Sequence, residues 1–375
     1  MTANLLVITA RNRKDPLGVV DPSDFEFEVG DEIDPQVLVT TPRITLYCLD
    51  HAHQRALFVE NSPGVNLSKE PFYYKAQYEN AVNLYSVSYD TLHELAKDIS
   101  LDSSRLVIVY SVGRAGSTLV DSAINEVSGV VGVSEPDVFT QLVAFRDFEG
   151  SNVDEISALV NTCMKLQCKP TEQIPSPIAW AVKFRSFCIE IGDLVYKHFP
   201  HTKNIYLYRN LEPWLLSNGR AFLENNDSLE YRAGWQQMGS YVVPFIARRV
   251  RENGPLLRLS EMGAQMWLAN LERYLELHES GMPWLALRFE DIKSAPQEAV
   301  KEIIDYCGFP NVNMDAVYKS LERDSQAGSP ISQEILAGSD FMLTDEMRAD
   351  LTQALAAHPT IRSGDYVVPS TWVRK

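Results

Sequence analysis

Short apolar runs separated by longer amphipathic stretches characterise the chain after residue 101. Five of these runs have the length and composition of buried strands, namely 106–111, 130–134, 180–184, 204–208 and 284–288. The stretches between them are long enough for helices, and apolar residues within 296–307 recur on one helical face. Buried strands that alternate with helices are typical of a parallel sheet with crossover connections. The pattern therefore predicts an α/β fold.

The first hundred residues show a different pattern. From residue 44 to residue 60, two β-rich runs flank the polar sequence His51-Ala52-His53-Gln54, which predicts a hairpin. We therefore expect two domains. Residues 1–100 form a small, mixed, β-containing N-terminal unit, and residues 101–375 form the larger α/β domain.

Composition and charge limit the partners of the chain. Its 375 residues include 34 basic and 50 acidic side chains, for a net charge of -16, which opposes binding to nucleic acid or to an anionic membrane. The five cysteines lack paired metal-type spacing, so we expect neither a disulfide framework nor a zinc site. No apolar run approaches the roughly 20 residues of a membrane span. These features predict a cytoplasmic protein.

A glycine-containing loop follows the first strand of the α/β domain. Gly113-Arg114-Ala115-Gly116-Ser117-Thr118 precedes a predicted helix, whose free backbone N–H groups and dipole suit a phosphate. A nucleotide triphosphatase P-loop has four residues between its glycines and a lysine before Ser/Thr, whereas this loop has two and no lysine. Arg114 can instead bind phosphate or sulfate oxygens with two parallel hydrogen bonds, and Ser117 and Thr118 can donate without a metal. A tight turn with a surface arginine is the alternative.

A second basic position follows the fourth strand. Arg209 stands at the strand end, and Ser217 lies eight residues further on, two turns into the next predicted helix. Residues so placed can face one anion. The alternative is an arginine paired with a carboxylate and a serine on the helix surface.

The order and spacing of these two motifs resemble the sulfotransferases that use 3'-phosphoadenosine-5'-phosphosulfate (PAPS). The resemblance extends over roughly residues 104–330 and includes 199–209 and 284–309. It implies a P-loop NTPase-like sulfotransferase fold, with a three-layer arrangement of a parallel sheet and flanking helices. It also implies that Gly113, Arg114, Ala115, Gly116, Ser117 and Thr118 bind the 5'-phosphosulfate. Arg209 and Ser217 would then bind the 3'-phosphate.

Two further candidates lie at strand ends. Glu135 could accept the proton of an acceptor hydroxyl, and it resembles the glutamate base of carbohydrate and tyrosylprotein sulfotransferases. Arg114 stands where the small-molecule cytosolic branch has lysine, so the chain resembles the branch with a loop arginine and a glutamate base. A lysine inside a strand is costly unless it reaches an anion, and by resemblance Lys183 would contact the oxygen that bridges phosphate and sulfate. Glu135 could instead cap a turn or pair with an arginine.

The expected activity is transfer of a sulfuryl group from PAPS to a hydroxyl of an intracellular small molecule, without metal, leaving adenosine 3',5'-bisphosphate. Secondary metabolism is the expected setting. Residues 325–329 are a candidate lid over the donor, and the N-terminal unit could cover the acceptor or mediate a homodimer. The rival classes are a small-molecule kinase of the P-loop type and a non-catalytic nucleotide-binding module.

Overall fold

The computed structural model describes residues 1–147, 149–223, 228–243, 247–248, 257–327 and 329–374. The chain forms two compact units, each assembled from three separate segments. Unit 1 comprises Met1–Val107, Ser128–Phe184 and Leu194–Thr202. Unit 2 comprises Ile108–Val127, Arg185–Asp193 and Lys203–Lys375.

The N-terminal part of unit 1 is an antiparallel sheet of five strands. Their bounds are β1 Ala3–Arg11, β2 Phe25–Ile33, β3 Ile44–Asp50, β4 Arg55–Asn61 and β5 Ala81–Ser88. The spatial order is β2-β1-β5-β4-β3. The predicted hairpin is confirmed, because β3 pairs with β4 across a short turn whose last residue, Gln54, adopts a left-handed φ of 50°.

The second sheet is parallel and contains all five predicted strands of the α/β domain. Their bounds are β6 Leu106–Ser111, β7 Val130–Ser134, β8 Ala179–Lys183, β9 Lys203–Tyr208 and β10 Trp284–Arg288. The order is β10-β9-β6-β8-β7. Nearly every residue of these strands is buried, as expected where helices cover both faces of a sheet. The predicted α/β fold with an additional β-containing N-terminal part is confirmed.

Helices connect and flank the strands. Their bounds are α1 Val37–Thr40, α2 Tyr73–Glu79, α3 Tyr89–Lys97, α4 Ser117–Ile124, α5 Val138–Phe145, α6 Val153–Gln167, α7 Gly192–His198, α8 Leu211–Phe222, α9 Leu229–Val242, α10 Leu259–Glu279, α11 Phe289–Ser294, α12 Pro296–Cys307, α13 Met314–Ser320, α14 Gln333–Ala337 and α15 Asp345–Ala357. The start and end of α12 follow from its sequence. The first N–H groups of a helix have no partner within it, and Pro296, at the first position, has no N–H group to leave unsatisfied. Gly308 ends the helix at a left-handed φ of 70°. Within the described residues, no helix combines the length and apolar character that a membrane crossing requires.

The C-terminal segment extends the packing around β10. Ala286 donates its N–H to the Ser370 carbonyl oxygen, and its own carbonyl accepts from the N–H of Trp372. Tyr208, the last residue of β9, shares a hydrogen bond of 2.9 Å with the Thr371 hydroxyl. The end of the chain therefore fixes the strand that leads into Arg209.

Candidate functional site

The loop between β6 and α4 has an unusual backbone. Gly113, Arg114 and Gly116 all have positive φ angles, of 75°, 51° and 84°. A left-handed conformation is easy for glycine but uncommon for arginine, so Arg114 is held there by its surroundings. A Cβ atom on Gly116 would lie 3.0 Å from the Phe289 ring. The second glycine is therefore required both for its φ angle and for the close approach of Phe289.

Two tryptophans of unit 2 hold the backbone of the site. The indole N–H of Trp214, on α8, donates to the carbonyl oxygens of Val112 and Gly113 at 3.1 and 3.0 Å. Trp267, on α10, donates to the carbonyl oxygen of Arg209 at 2.9 Å. Because both tryptophans are buried and rigid, they fix the positions at which the two arginine side chains leave the backbone.

Arg114 reaches polar side chains from two distant parts of unit 2. Its Nε atom donates to the Ser217 hydroxyl at 3.3 Å, and one terminal nitrogen donates to Gln326 Oε1 at 3.0 Å. The amide nitrogen of Gln326 in turn lies 3.3 Å from the Thr118 hydroxyl. Within the described part of the chain, no carboxylate is within hydrogen-bond distance of the Arg114 guanidinium.

Arg209 lies against the same loop. It donates to the backbone carbonyl oxygen of Arg114 at 3.2 Å, and its guanidinium carbon is 4.5 Å from the centre of the Phe289 ring. Its Nε atom makes no hydrogen bond to any described residue, and the nearest carboxylate oxygen, from Glu290, is 4.0 Å away. That glutamate accepts a hydrogen bond from the Asn210 backbone N–H at 3.4 Å. The position of Glu290 is therefore set by the backbone more than by the arginine.

The charges of Arg114 and Arg209 favour a negatively charged ligand at this cluster. Burial lowers the pKa of the Arg114 guanidinium, and the neighbouring charge of Arg209 lowers it further, against an opposing effect of Asp324. Burial also lowers the pKa of Arg209, with Glu290 acting in the opposite direction. Two partly buried positive charges that repel each other are stabilised when an anion binds between or beside them. Phosphate or sulfate groups fit this donor set.

The other two candidates, Glu135 and Lys183, meet in unit 1. Residues Ser134 and Lys183 are register partners in the parallel pair β7 and β8. Glu135 Oε1 lies 2.8 Å from Lys183 Nζ, with the lysine side chain fully buried and the glutamate 16% exposed. Glu135 has a φ of 60°, although it precedes proline and has a side chain. The anion that the buried lysine reaches is therefore the predicted base.

A segment from the N-terminal part of unit 1 covers this ion pair. The Pro71 carbonyl oxygen accepts from the Ser134 hydroxyl at 2.8 Å and lies 3.5 Å from Lys183 Nζ. The same ammonium group is 5.7 Å from the centre of the Phe72 ring. The ion pair thus belongs to a structure to which the first hundred residues contribute directly.

The predicted site residues form two groups. In unit 2 the structure brings together Arg114, Arg209 and Ser217 with the loop Gly113–Thr118, whereas Glu135 and Lys183 form a pair in unit 1. Of the candidate lid, Gln326 contacts Arg114, and Gly328 lies outside the described residues.

Sequence reasoning missed the contributions of two aromatic residues. Phe289 contacts Arg209 and faces Gly116. Its signal in the sequence was its place directly after β10. Phe72 carried no signal at all, because its partner is more than a hundred residues away in sequence.

Comparison with known proteins gives a family match that lies mostly in unit 2 and includes the last segment of unit 1, Leu194–Thr202. Residues 193–351 match the family model described as "Sulfotransferase domain". The matched region contains Arg209, Ser217 and Gln326, while the loop Gly113–Thr118, Glu135 and Lys183 lie outside it. The match supports sulfuryl transfer in general. Among curated proteins, none matches the chain in sequence.

Solved structures similar to the chain are also sulfotransferases. One, from Alicyclobacillus acidocaldarius, is 15% identical over 67% of this chain and 91% of its own, with a TM-score of 0.39. STF1 from Mycobacterium tuberculosis is 13% identical over 70% and 80%, with a TM-score of 0.41. Mouse SULT7A1, complexed with PAP, is 10% identical over 72% and 90%, with a TM-score of 0.38.

Proposed function

We propose that this protein transfers a sulfuryl group from PAPS to a hydroxyl of a small molecule. One observation carries the proposal. Two partly buried arginines, Arg114 and Arg209, meet at a glycine-containing loop that leads into a helix, and no described carboxylate is hydrogen-bonded to Arg114. Such a cluster favours a ligand with more than one anionic group, and PAPS carries its phosphosulfate and its 3'-phosphate at opposite ends of one nucleoside.

The proposed roles in donor binding follow from the side-chain chemistry. Backbone N–H groups of the loop Gly113–Thr118 and the Arg114 fork bind the 5'-phosphosulfate, with Ser117 and Thr118 as further donors. Arg209 and Ser217 hold the 3'-phosphate. Because these groups carry the positive charge and the donors that a metal would otherwise supply, we propose that the reaction proceeds without one.

The proposed chemistry consists of one proton transfer and the replacement of one sulfur–oxygen bond by another. Glu135 accepts the proton of the acceptor hydroxyl as its oxygen bonds to sulfur, while the bond between sulfur and the bridging oxygen of the 5'-phosphate breaks. The electron pair of that bond stays on the phosphate. Once Glu135 is protonated, it no longer carries the charge that attracts Lys183, and in the proposed step the lysine then stabilises the negative charge of the leaving group.

The effect of ligands on the melting temperature provides a test of donor recognition. Adenosine 3',5'-bisphosphate should raise the melting temperature in the presence of a chelator, whereas magnesium-ATP should raise it little, because only the bisphosphate carries a 3'-phosphate. A larger shift with magnesium-ATP would favour a kinase. No shift with the bisphosphate would contradict the proposal.

A matched pair of variants links the ligand to the site. Arg209→Gln should weaken bisphosphate binding by roughly 10- to 100-fold, the effect of losing a charged hydrogen bond to phosphate. Arg348→Gln should leave binding unchanged, because that arginine is exposed and pairs with Glu212 at 2.8 Å. Equal effects of the two variants would show that the bisphosphate binds elsewhere.

The acceptor can be found by incubating a metabolite extract with the protein and PAPS labelled in its sulfate. Mass spectrometry should reveal a labelled product heavier than its precursor by one sulfuryl group. Binding of the bisphosphate without any labelled product would favour a nucleotide-binding module over an enzyme.

A further inference from the structure

The segment that leads into α2 is fixed before it reaches the Glu135–Lys183 pair. Gln77, on α2, donates its side-chain amide to the Thr45 hydroxyl at 2.8 Å and to the Leu46 carbonyl oxygen at 3.0 Å. Asn61 donates to the Gln77 carbonyl oxygen at 2.8 Å. Because α2 is hydrogen-bonded to two strands of the antiparallel sheet, the residues just before it have little freedom.

Those residues surround the ammonium group of Lys183. The Glu135 carboxylate at 2.8 Å, the Pro71 carbonyl oxygen at 3.5 Å and the Phe72 ring at 5.7 Å all face Nζ. Phe72 is 5% exposed and Lys183 is fully buried, so the ring shields the ammonium group from water. An aromatic ring attracts a cation more strongly when both are removed from water.

We propose that the Pro71–Phe72 segment positions Lys183 during sulfuryl transfer. The proposal rests on the function given above. When Glu135 takes up a proton, its attraction for Lys183 falls, and the position of this long side chain then depends more on its other contacts, which include Pro71 and Phe72. The carbonyl oxygen of Pro71 and the ring of Phe72 carry no charge that changes, so they continue to hold the ammonium group in place.

This role separates Phe72 from ordinary packing residues of unit 1. A positioning role in the chemical step lowers kcat and leaves acceptor KM and bisphosphate affinity nearly unchanged. Loss of packing alone lowers stability without a selective effect on kcat. Phe25 is the matched control, because it is also buried in unit 1 and packs against the rings of Tyr47 and Tyr78, with centroids 5.5 and 5.0 Å away.

The experiment compares Phe72→Leu, Phe72→Tyr and Phe25→Leu under conditions in which each is folded. Phe72→Leu should lower kcat by roughly 3- to 30-fold, the range expected for loss of a shielded cation–π contact. Phe72→Tyr should restore most of the rate because it keeps the ring. Phe25→Leu should retain the wild-type kcat. Equal kcat values for Phe72→Leu and Phe25→Leu would overturn the proposal.

A double-mutant cycle tests whether Phe72 acts through Lys183. In a Lys183→Met background, Phe72→Leu should cause no further loss of kcat, whereas the same fold-loss in both backgrounds would refute the positioning role. If the wild-type protein transfers no sulfuryl group, the proposed function fails. In that case the contact between Phe72 and Lys183 is tested by the unfolding equilibria of the wild type, the two single variants and the double variant. A coupling of at least roughly 2-fold in the unfolding equilibrium constant supports the contact, and no coupling overturns it.

Discussion

The guanidinium group of Arg209 donates to the backbone carbonyl oxygen of Arg114, 3.2 Å away, although the two residues are 95 positions apart. A carbonyl oxygen satisfies one donor of Arg209 without neutralising its charge, and Arg114 itself sits in a left-handed conformation that side chains rarely adopt. The contact therefore fixes two positive charges near each other and leaves both available to an anion.

Replacement of Gly116 by alanine should disrupt this arrangement. The new Cβ atom would lie 3.0 Å from Phe289, at a φ of 84° that already disfavours alanine, so we expect bisphosphate affinity to fall by at least roughly 10-fold. Isothermal titration measures the change. Gly281→Ala is the control, because Gly281 has a similar φ of 89°, and among the described residues beyond its chain neighbours no atom lies within 4 Å of the added Cβ. Similar losses in both variants would mean that backbone strain alone, and not the loop, governs binding.

A carboxylate at position 326 should compete with the donor. Gln326 Oε1 already accepts from Arg114 at 3.0 Å, so Gln326→Glu would place a negative charge against the Arg114 guanidinium. We expect the Kd for adenosine 3',5'-bisphosphate to rise by roughly 10-fold or more, the effect of a charged hydrogen bond that must be displaced. Gln333→Glu adds the same charge at an exposed position of the same region and should change Kd little. Unchanged binding by Gln326→Glu would show that Arg114 does not bind the ligand.

The proposed role of Glu135, directly after β7, can be tested by a substitution that removes its ability to accept a proton. Glu135→Gln retains size and one acceptor oxygen but cannot take up a proton, so kcat should fall by roughly 100- to 10,000-fold while the bisphosphate-induced rise in melting temperature persists. Glu155→Gln, at an exposed position in the first turn of α6, should keep the wild-type rate. A loss of less than tenfold in Glu135→Gln would remove Glu135 from the mechanism.

The ionised carboxylate of Glu60 should stabilise the antiparallel sheet, and this stabilisation should be lost in acid. Burial raises the pKa of this carboxyl, but hydrogen bonds from Asn83, Arg43 and Tyr85 outweigh burial and lower the pKa below 4.5. A carboxyl with a lowered folded-state pKa stabilises the protein above its unfolded-state pKa, and this contribution disappears as the pH falls through the folded-state value.

Urea unfolding of the wild type and Glu60→Gln tests this expectation. The free energy of unfolding should differ by about 1–3 kcal/mol near neutral pH, and the difference should shrink as the pH falls below about 4.5. Glu79→Gln breaks an exposed pair with Lys75 and should cost less near neutral pH. A difference between wild type and Glu60→Gln that does not change with pH would contradict the ionic role.

The parts of the fold that sequence predicted were those set by local patterns. The strands β6 to β10 consist of nearly continuous buried residues, and α12 carries its own start and stop signals in Pro296 and Gly308. Spacing also predicted that Arg209 and Ser217, eight residues apart, can face one anion. In each case the signal lies within about ten residues of chain, where backbone geometry determines which side chains share a face.

Contacts between distant segments could not be predicted in this way. The pairing of Glu135 with Lys183 depends on strand register, and the approach of Pro71 to Lys183 depends on how α2 is anchored. A buried lysine indicates that some anion must be near, but it does not indicate which one. The roles of Glu135, Lys183 and the loop residues in catalysis, and the boundary after residue 100, stay predictions.

The interleaved segments of the two compact units have a consequence for synthesis on the ribosome. Unit 1 lacks its last segment until Thr202 has been added, although Ile108–Val127 of unit 2 has by then already been made. Unit 1 can therefore be completed only after segments of unit 2 have been made, although the largest segment of unit 2 follows it. In the parallel sheet, β6 gains its neighbour β9 only when Lys203–Tyr208 has been made, and β10 is added only with Trp284–Arg288. The nascent protein must hold an unfinished sheet edge until then, so we expect its yield to depend on translation speed and chaperones more than that of a protein with contiguous domains.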